Sequence, residues 1–191
     1  MNSFYIYKRK NKFKNKVSLN NSMDTQKLNN EFTLWYHNPN DTNWTQDSYH
    51  QILSFTNFEE FWTLDYFIGK EMIEEGMFFV MKDDVLPIWE DDLNKDGGYI
   101  SWKVDKRSSY TYWTDLIGYL ITNKLMKDDI INGISISPKK NFNIIKLWFK
   151  EPIVLDEYVL PDEFKLNNNE KVFKLHQTYL SREKEKEKEK K

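Results

Sequence analysis

Cysteine is absent from the 191 residues, so disulfides, zinc-thiolate sites, iron-sulfur clusters and thiol catalysis are all excluded. Histidine is scarce: His37, His50 and His176 stand far apart, at no spacing that suits a shared metal, and neither a metal nor another cofactor is expected. No apolar run reaches the roughly 18 residues of a spanning helix, and the opening MNSFYIYKRK lacks the apolar stretch of a secretory signal. The expectation is a cytoplasmic protein with no membrane partner. An excess of one charge is missing too, since 28 Lys and Arg face 30 Asp and Glu for a formal charge of −2. That balance excludes a broad basic surface gripping long nucleic acid by counterion release, so any phosphate site must be local. Alanine does not occur at all while Asn and Lys abound, the mark of an AT-rich coding sequence.

Aromatic residues are what the chain has in quantity, at 16% with seven Trp, and the informative question is which tryptophans packing does not need. The length suits one domain with a sizeable core. Residues 1–27 are polar, basic and aperiodic and read as a flexible arm. Residues 181–191, SREKEKEKEKK, alternate in charge without an apolar face and read as an exposed Lys/Glu tail. The folded unit is expected at 28–180.

Within that unit, strands are predicted at Phe32 to Tyr36, Tyr49 to Phe55, Met77 to Lys82, Tyr99 to Asp105, Ile131 to Pro138 and Asn143 to Lys150, with another at Val172 to His176. Asn57 with Glu60 opens a first helix whose Phe61, Leu64 and Ile68 recur at helical spacing up to Gly69. A second helix is predicted from Ser109 to Met126, with Trp113, Leu116, Ile117, Leu120 and Ile121 on one stripe. Mixed elements with hairpin-linked strands predict an α+β fold: a curved, mostly antiparallel sheet, helices on its convex face and a ligand slot on its concave face.

Strand parity then sorts the side chains. Ile145, Leu147 and Phe149 share one face, leaving Ile144, Lys146, Trp148 and Lys150 on the other. Ile134 and Ile136 likewise leave Ser135, Ser137 and Lys139 on the polar face, and Ile100, Trp102 and Val104 leave Lys103 there. Trp44 and Trp89 lie in polar loops (DTNWTQD and LPIWEDD) without periodic apolar neighbours. A loop tryptophan often plugs a core edge. Two of them, with a third on a basic sheet face, suggest a ligand with a flat ring and phosphates. Glu90 adjoins Trp89, and a carboxylate beside a stacking ring can accept paired hydrogen bonds from guanine's N–H and amino group. Asp91 and Asp92 read as a solvated continuation of the acidic run.

With these residues in view, the chain resembles the eukaryotic translation initiation factor 4E family, the mRNA cap-binding proteins. The likeness runs from about Leu28 to Phe149, through LWY with Trp35, NWTQ with Trp44, FEEFW with Trp62, PIWEDDLNKDGG with Trp89 and Glu90, YW with Trp113 and IKLWF with Trp148, with an echo at KVFKLHQ. The resemblance implies that Trp44 and Trp89 sandwich a 7-methylguanine ring, that Glu90 holds its Watson-Crick edge and that Trp148 lies against the N7 methyl group. It also implies a monomer that acts in translation rather than an enzyme.

Departures from the family pattern are specific. The main phosphate-binding Arg is Lys139 here, a second family Lys falls on Ile144, and Tyr99 stands for the basic residue after the double glycine, so Lys139, Lys140, Lys146 and Lys103 are the candidate phosphate ligands. Pro152 and Pro161 interrupt the segment of the family's third long helix. For a helical scaffold or repressor peptide, the resemblance points to Trp62, joined by Leu28, Phe58 and Asp115. Opposing it, Gln26 and Lys27 replace the family's His-Pro before Leu28, and Thr114 and Gly118 stand for two leucines. Two readings follow: recruitment of capped mRNA to translation initiation, or a cap-sequestering repressor without productive scaffold binding. Hydrolysis through Glu90, Asp91 and Asp92 is disfavoured, because adjacent carboxylates on an extended loop point in alternating directions. Carbohydrate binding leaves the lysines near Trp148 unexplained.

Overall fold

The computed structural model describes residues 26–126, 129–153 and 172–177, with the side chains of 64–67 and 172 excepted. The expected basic arm up to residue 25, the Lys/Glu tail, Pro161 and the side chain of Leu64 lie outside the described residues. Seven strands form one antiparallel sheet: β1 (Lys27–His37), β2 (Tyr49–Asn57), β3 (Met77–Lys82), β4 (Gly98–Asp105), β5 (Ile131–Pro138), β6 (Phe142–Phe149) and β7 (Val172–Leu175). Their order is β2-β1-β3-β5-β6-β4-β7. Two helices, α1 (Phe58–Glu75) and α2 (Lys106–Ile121), pack on one face of this curved sheet. The expected α+β architecture is therefore present. Among the described residues no helix is long and apolar enough to cross a membrane.

Parity builds two cores. Phe32, Leu34 and Tyr36 of β1, Phe78 and Val80 of β3, Ile134 and Ile136 of β5, and Ile145, Leu147 and Phe149 of β6 all face the helices, where Trp113, Leu116 and Ile117 of α2 meet them. The alternate residues of β3, Met77, Phe79 and Met81, face the concave side and are also buried, so the strand is apolar from Met77 to Met81 and charged only at Lys82, its last residue. Trp35 follows that second set, partly buried in the concave cluster.

Several element boundaries differ from expectation for local reasons. β1 starts at Lys27 rather than Phe32, because Lys27 pairs with Asn57 and Phe58 N–H donates to the Gln26 carbonyl at 3.4 Å. Lys27 thus belongs to the sheet and not to the arm. The α1 start is capped as predicted: Asn57 accepts from Glu60 N–H at 2.8 Å, while the Glu60 carboxylate accepts from Thr56 N–H at 2.8 Å. Gly69 does break the helix, at φ 68° and ψ 169°, a backbone state that glycine alone adopts readily. Helical turns then resume to Glu75, because Met72 and Ile73 supply a second buried pair. α2 begins at Lys106 rather than Ser109, capped by Asp105, which accepts from Arg107 N–H at 2.8 Å. It stops at Ile121 rather than Met126. Asn123 adopts φ 53° and Lys124 N–H donates to the Tyr119 carbonyl at 2.9 Å, a left-handed helix end of the Schellman type.

Candidate functional site

The concave face carries a cluster of Met77, Phe79, Met81, Val85 and Trp148, against which Trp35, Tyr49 and Trp89 pack. Trp148 lies on the face that parity assigned to it, yet it is 2% exposed rather than open among lysines. Its indole N–H donates to Ser135 Oγ at 2.9 Å, and its ring meets Phe79 edge-on at 6.1 Å and His176 at 5.1 Å. Apolar neighbours from β3, invisible along β6 alone, explain the burial.

Trp44 is held differently. Side-chain acceptors shape its loop: Asp41 takes Asn43 N–H at 2.8 Å, and Asn43 Oδ1 takes Thr45 N–H at 3.1 Å. His37, fully buried at the end of β1, donates from Nε2 to the Asn43 carbonyl at 2.8 Å and lies flat against the Trp44 indole, 4.3 Å between centroids and 3° between planes. One indole face is thereby occupied. Trp44 is 52% exposed, which leaves surface for a ligand.

The loop bearing Trp89 and Glu90 is anchored by two buried amides. Asn94 Nδ2 donates to the Leu86 and Ile88 carbonyls at 2.7 and 2.9 Å, and Asn132 Nδ2 on β5 donates to the Leu93 carbonyl at 2.6 Å and to Asn94 Oδ1 at 2.9 Å. Gly97 ends the loop so close to β6 that a Cβ there would collide with the Phe149 carbonyl oxygen. Trp89 is partly buried against the concave cluster, which corrects its reading as a loop ring without apolar neighbours. Glu90 is exposed. Burial, then the Glu90 charge, pushes the Tyr49 hydroxyl well above its ordinary range. Asp91 is more than solvated acid, because its carboxylate accepts from Leu93 N–H at 2.9 Å and its carbonyl accepts from both Asn94 and Lys95. Asp92 pairs with Lys95 at 2.6 Å, which holds the Asp92 carboxyl below its usual range.

These pieces converge on one cavity of about 280 Å³, lined by Trp44, Trp89, Glu90 and Trp148 with Lys139 and Lys146. That volume sits at the lower edge of the ~300–1,000 Å³ range of small-molecule sites. Of the four candidate lysines, Lys139 and Lys146 line it. Lys103 shares the face but stands opposite Ile144, with its ammonium 4.9 Å from the Phe142 ring, and Lys140 is exposed in the β5–β6 turn. Neither lines the cavity. Lys146 Nζ lies 5.7 Å from the Trp89 ring and 4.4 Å from that of Tyr99. Burial and then Lys139 and Lys174 pull its pKa down to about 8.

Residues 27–191 match the model of the eukaryotic initiation factor 4E family. The chain belongs to that family. Similar relatives are initiation factor 4E of Saccharomyces cerevisiae, 31% identical over 64% of this chain and 61% of its own length, and initiation factor 4E1 of Drosophila melanogaster, 33% identical over 63% and 49%. The match spans about three fifths of the first relatives' length. Among solved structures, eIF4E-3 of Ascaris suum in complex with an m7G cap superposes with a TM-score of 0.61 at 24% identity, covering 69% of this chain and 77% of that one. Caenorhabditis elegans eIF4E-3 with the 4E-binding protein Mextli and a cap analog gives 0.68 at 19% identity, covering 82% and 96%. At these identities the likeness establishes the fold.

In this member of the family the residues singled out for a partner lie away from the cavity, on and beside the helices. Trp62 is 55% exposed on α1, Phe58 and Leu28 are half-buried against the main core, and Asp115 is exposed on α2. Sequence reading missed four side chains around the cavity. Tyr49 lines it, His37 backs Trp44, Tyr99 lies under Lys146, and His176 is buried between Tyr99 and Trp148. Parity supplied a signal for Tyr99, which alternates with Ile100 and Trp102. The two histidines carried none.

Proposed function

We propose that this chain binds the 7-methylguanosine cap of mRNA and recruits capped mRNA for translation initiation, acting as a cytoplasmic monomer without chemistry of its own. The observation that carries this reading is the convergence of Trp44, Trp89, Glu90 and Trp148 with two lysines on one cavity. Trp44 and Trp89 sandwich the base, and its N7-methyl cation adds roughly 0.5–2 kcal/mol of cation-π attraction to stacking worth about 1–3 kcal/mol per base. Glu90 accepts from the base's N–H and amino groups, Trp148 meets the methyl edge, and Lys139 with Lys146 meets the phosphates. Lys103 and Lys140, outside the cavity lining, are left to phosphates that extend beyond it. The cap-binding domain, expected at 28–180, takes in Lys27 as well, since that residue is part of β1. Titrating intrinsic fluorescence with 7-methylguanosine triphosphate and with GTP tests the reading. Saturable quenching by the first, with at least tenfold weaker response to the second, is expected, and equal responses would overturn it.

A helical scaffold or repressor peptide docks on α1 through Trp62, with Leu28, Phe58 and Asp115 beside it. Gly118 on α2 favours the second reading, a cap-sequestering repressor, because no atom lies within 4 Å of where its Cβ would stand and a family leucine is replaced by open space. A scaffold-derived helical peptide that binds the wild-type chain and loses at least tenfold affinity to Trp62→Ala supports recruitment. Cap binding without any peptide binding supports sequestration.

A further inference from the structure

Lys146 is the one cation among the described residues seated against the rings of the cavity as well as lining it. It projects from the concave face of β6, opposite Ser101 of β4 and Ser135 of β5. The charged groups acting on it are two more cations, Lys139 at the end of β5 and Lys174 on β7; the neighbouring His176 is held neutral, and Glu90 lines the same cavity from the loop. The faces of Trp89 and Tyr99 are thus supplied with a positive charge belonging to the chain itself. A second cation drawn to the same ring meets that charge at close range in a half-buried site, where screening by salt is incomplete.

We propose that Lys146 sets the ligand class of this site: it opposes a cationic methylated base offered alone and favours the same base when it carries phosphates. The inference rests on the cap-binding reading above and adds a sign to it. With a nucleoside, the ammonium contributes repulsion and competes for the indole face. With a nucleotide, the phosphate oxygens accept charge-assisted hydrogen bonds from the ammonium, which turns from the ring toward them and leaves the indole to the base. One side chain therefore acts in opposite directions on two ligands that share a base. Its lowered pKa, about 8, fits an amine whose protonated form lacks a counter-charge until an anion arrives.

Binding of 7-methylguanosine and of 7-methylguanosine triphosphate to the full chain, wild type against Lys146→Met and Lys146→Arg, tests this at neutral pH. For Lys146→Met we expect nucleoside affinity to rise about threefold and triphosphate affinity to fall about tenfold. Lys146→Arg should keep the wild-type order of the two ligands. A change of both affinities in the same direction in Lys146→Met would overturn the proposal and leave the cap reading standing, since the wild type would still bind. If the wild type binds neither ligand, the cap reading falls and the proposal with it. A measurement that needs no variant is the salt dependence of the wild type. Rising salt should strengthen nucleoside binding while weakening triphosphate binding, and weakening of both would overturn the proposal.

Discussion

Removing Trp44 strips a ring that is half bare and rests on His37 by one face alone, so the fold has little to lose by it. Trp44→Ala is expected to leave the thermal unfolding midpoint nearly unchanged while weakening 7-methylguanosine triphosphate by about 1–3 kcal/mol, measured by fluorescence titration. Trp89→Ala should cost similar affinity and also lower the midpoint, because Trp89 packs against the concave cluster. Trp113→Ala, 2% exposed and remote from the cavity, should cost about 3–5 kcal/mol of stability instead. Glu90 calls for a subtler change. Glu90→Gln keeps one acceptor and loses the charge opposite a cationic base, so it should narrow the preference for the methylated over the unmethylated nucleotide. Asp91→Asn preserves the Oδ1 acceptor that Leu93 N–H uses, and Asp92→Asn disturbs only an exposed pair, so both serve as controls. Equal losses in all three would point to a general acidic field rather than to base reading.

The loop that carries Trp89 and Glu90 takes its shape from β5, through Asn132, as much as from its own residues. Asn132→Ala leaves the Leu93 carbonyl and Asn94 Oδ1 without their donor, at a cost of about 1–3 kcal/mol for buried groups. Faster amide exchange confined to the loop between Asp83 and Gly97, with weaker cap-analogue binding, is the expected result. An unchanged loop with unchanged binding would mean that Asn94 suffices. Period-two alternation made the strands and their two faces legible: Ile145, Leu147 and Phe149 went to one side and Lys146 and Trp148 to the other, as read. The same rule could not show that Trp148 is covered, because Phe79 covers it from another strand. Nor could it show the Asn94–Asn132 contact, which depends on loop carbonyls whose positions no local pattern encodes. The periodicity predicts an end of α1 at Gly69 for a related reason. A glycine ends a periodic stripe in sequence, whereas in space Met72 and Ile73 reach the same core beyond the kink.

A sheet buried on both faces has to place its polar groups somewhere, and this molecule gathers basic ones on the concave side. His176 is fully buried there, and its pKa is pushed down to about 4 by burial and then by Lys146. Lys146 is pulled down to about 8 by burial and its neighbouring lysines. Both groups bind protons less readily in the folded chain than in the unfolded one, so both make stability rise with pH, in separate windows. For His176 the stabilisation is complete above the unfolded value of about 6.5 and is lost as pH falls toward 4, by at most about 3 kcal/mol. For Lys146 the gain begins above pH 8 and is complete near 10.5. The unliganded domain should therefore gain resistance to denaturant in two steps, followed by urea unfolding from pH 4 to 10.5. His176→Phe keeps an aromatic ring between Tyr99 and Trp148 and should flatten the acid step alone, while Lys146→Met should flatten the alkaline step and ease the acid one, since its charge is part of what keeps His176 neutral. An acid step untouched by His176→Phe would assign that loss of stability to the carboxylates. A saturating triphosphate ligand should abolish the alkaline gain, because an anion beside Lys146 raises its pKa again and makes the protonated amine a stabilising group.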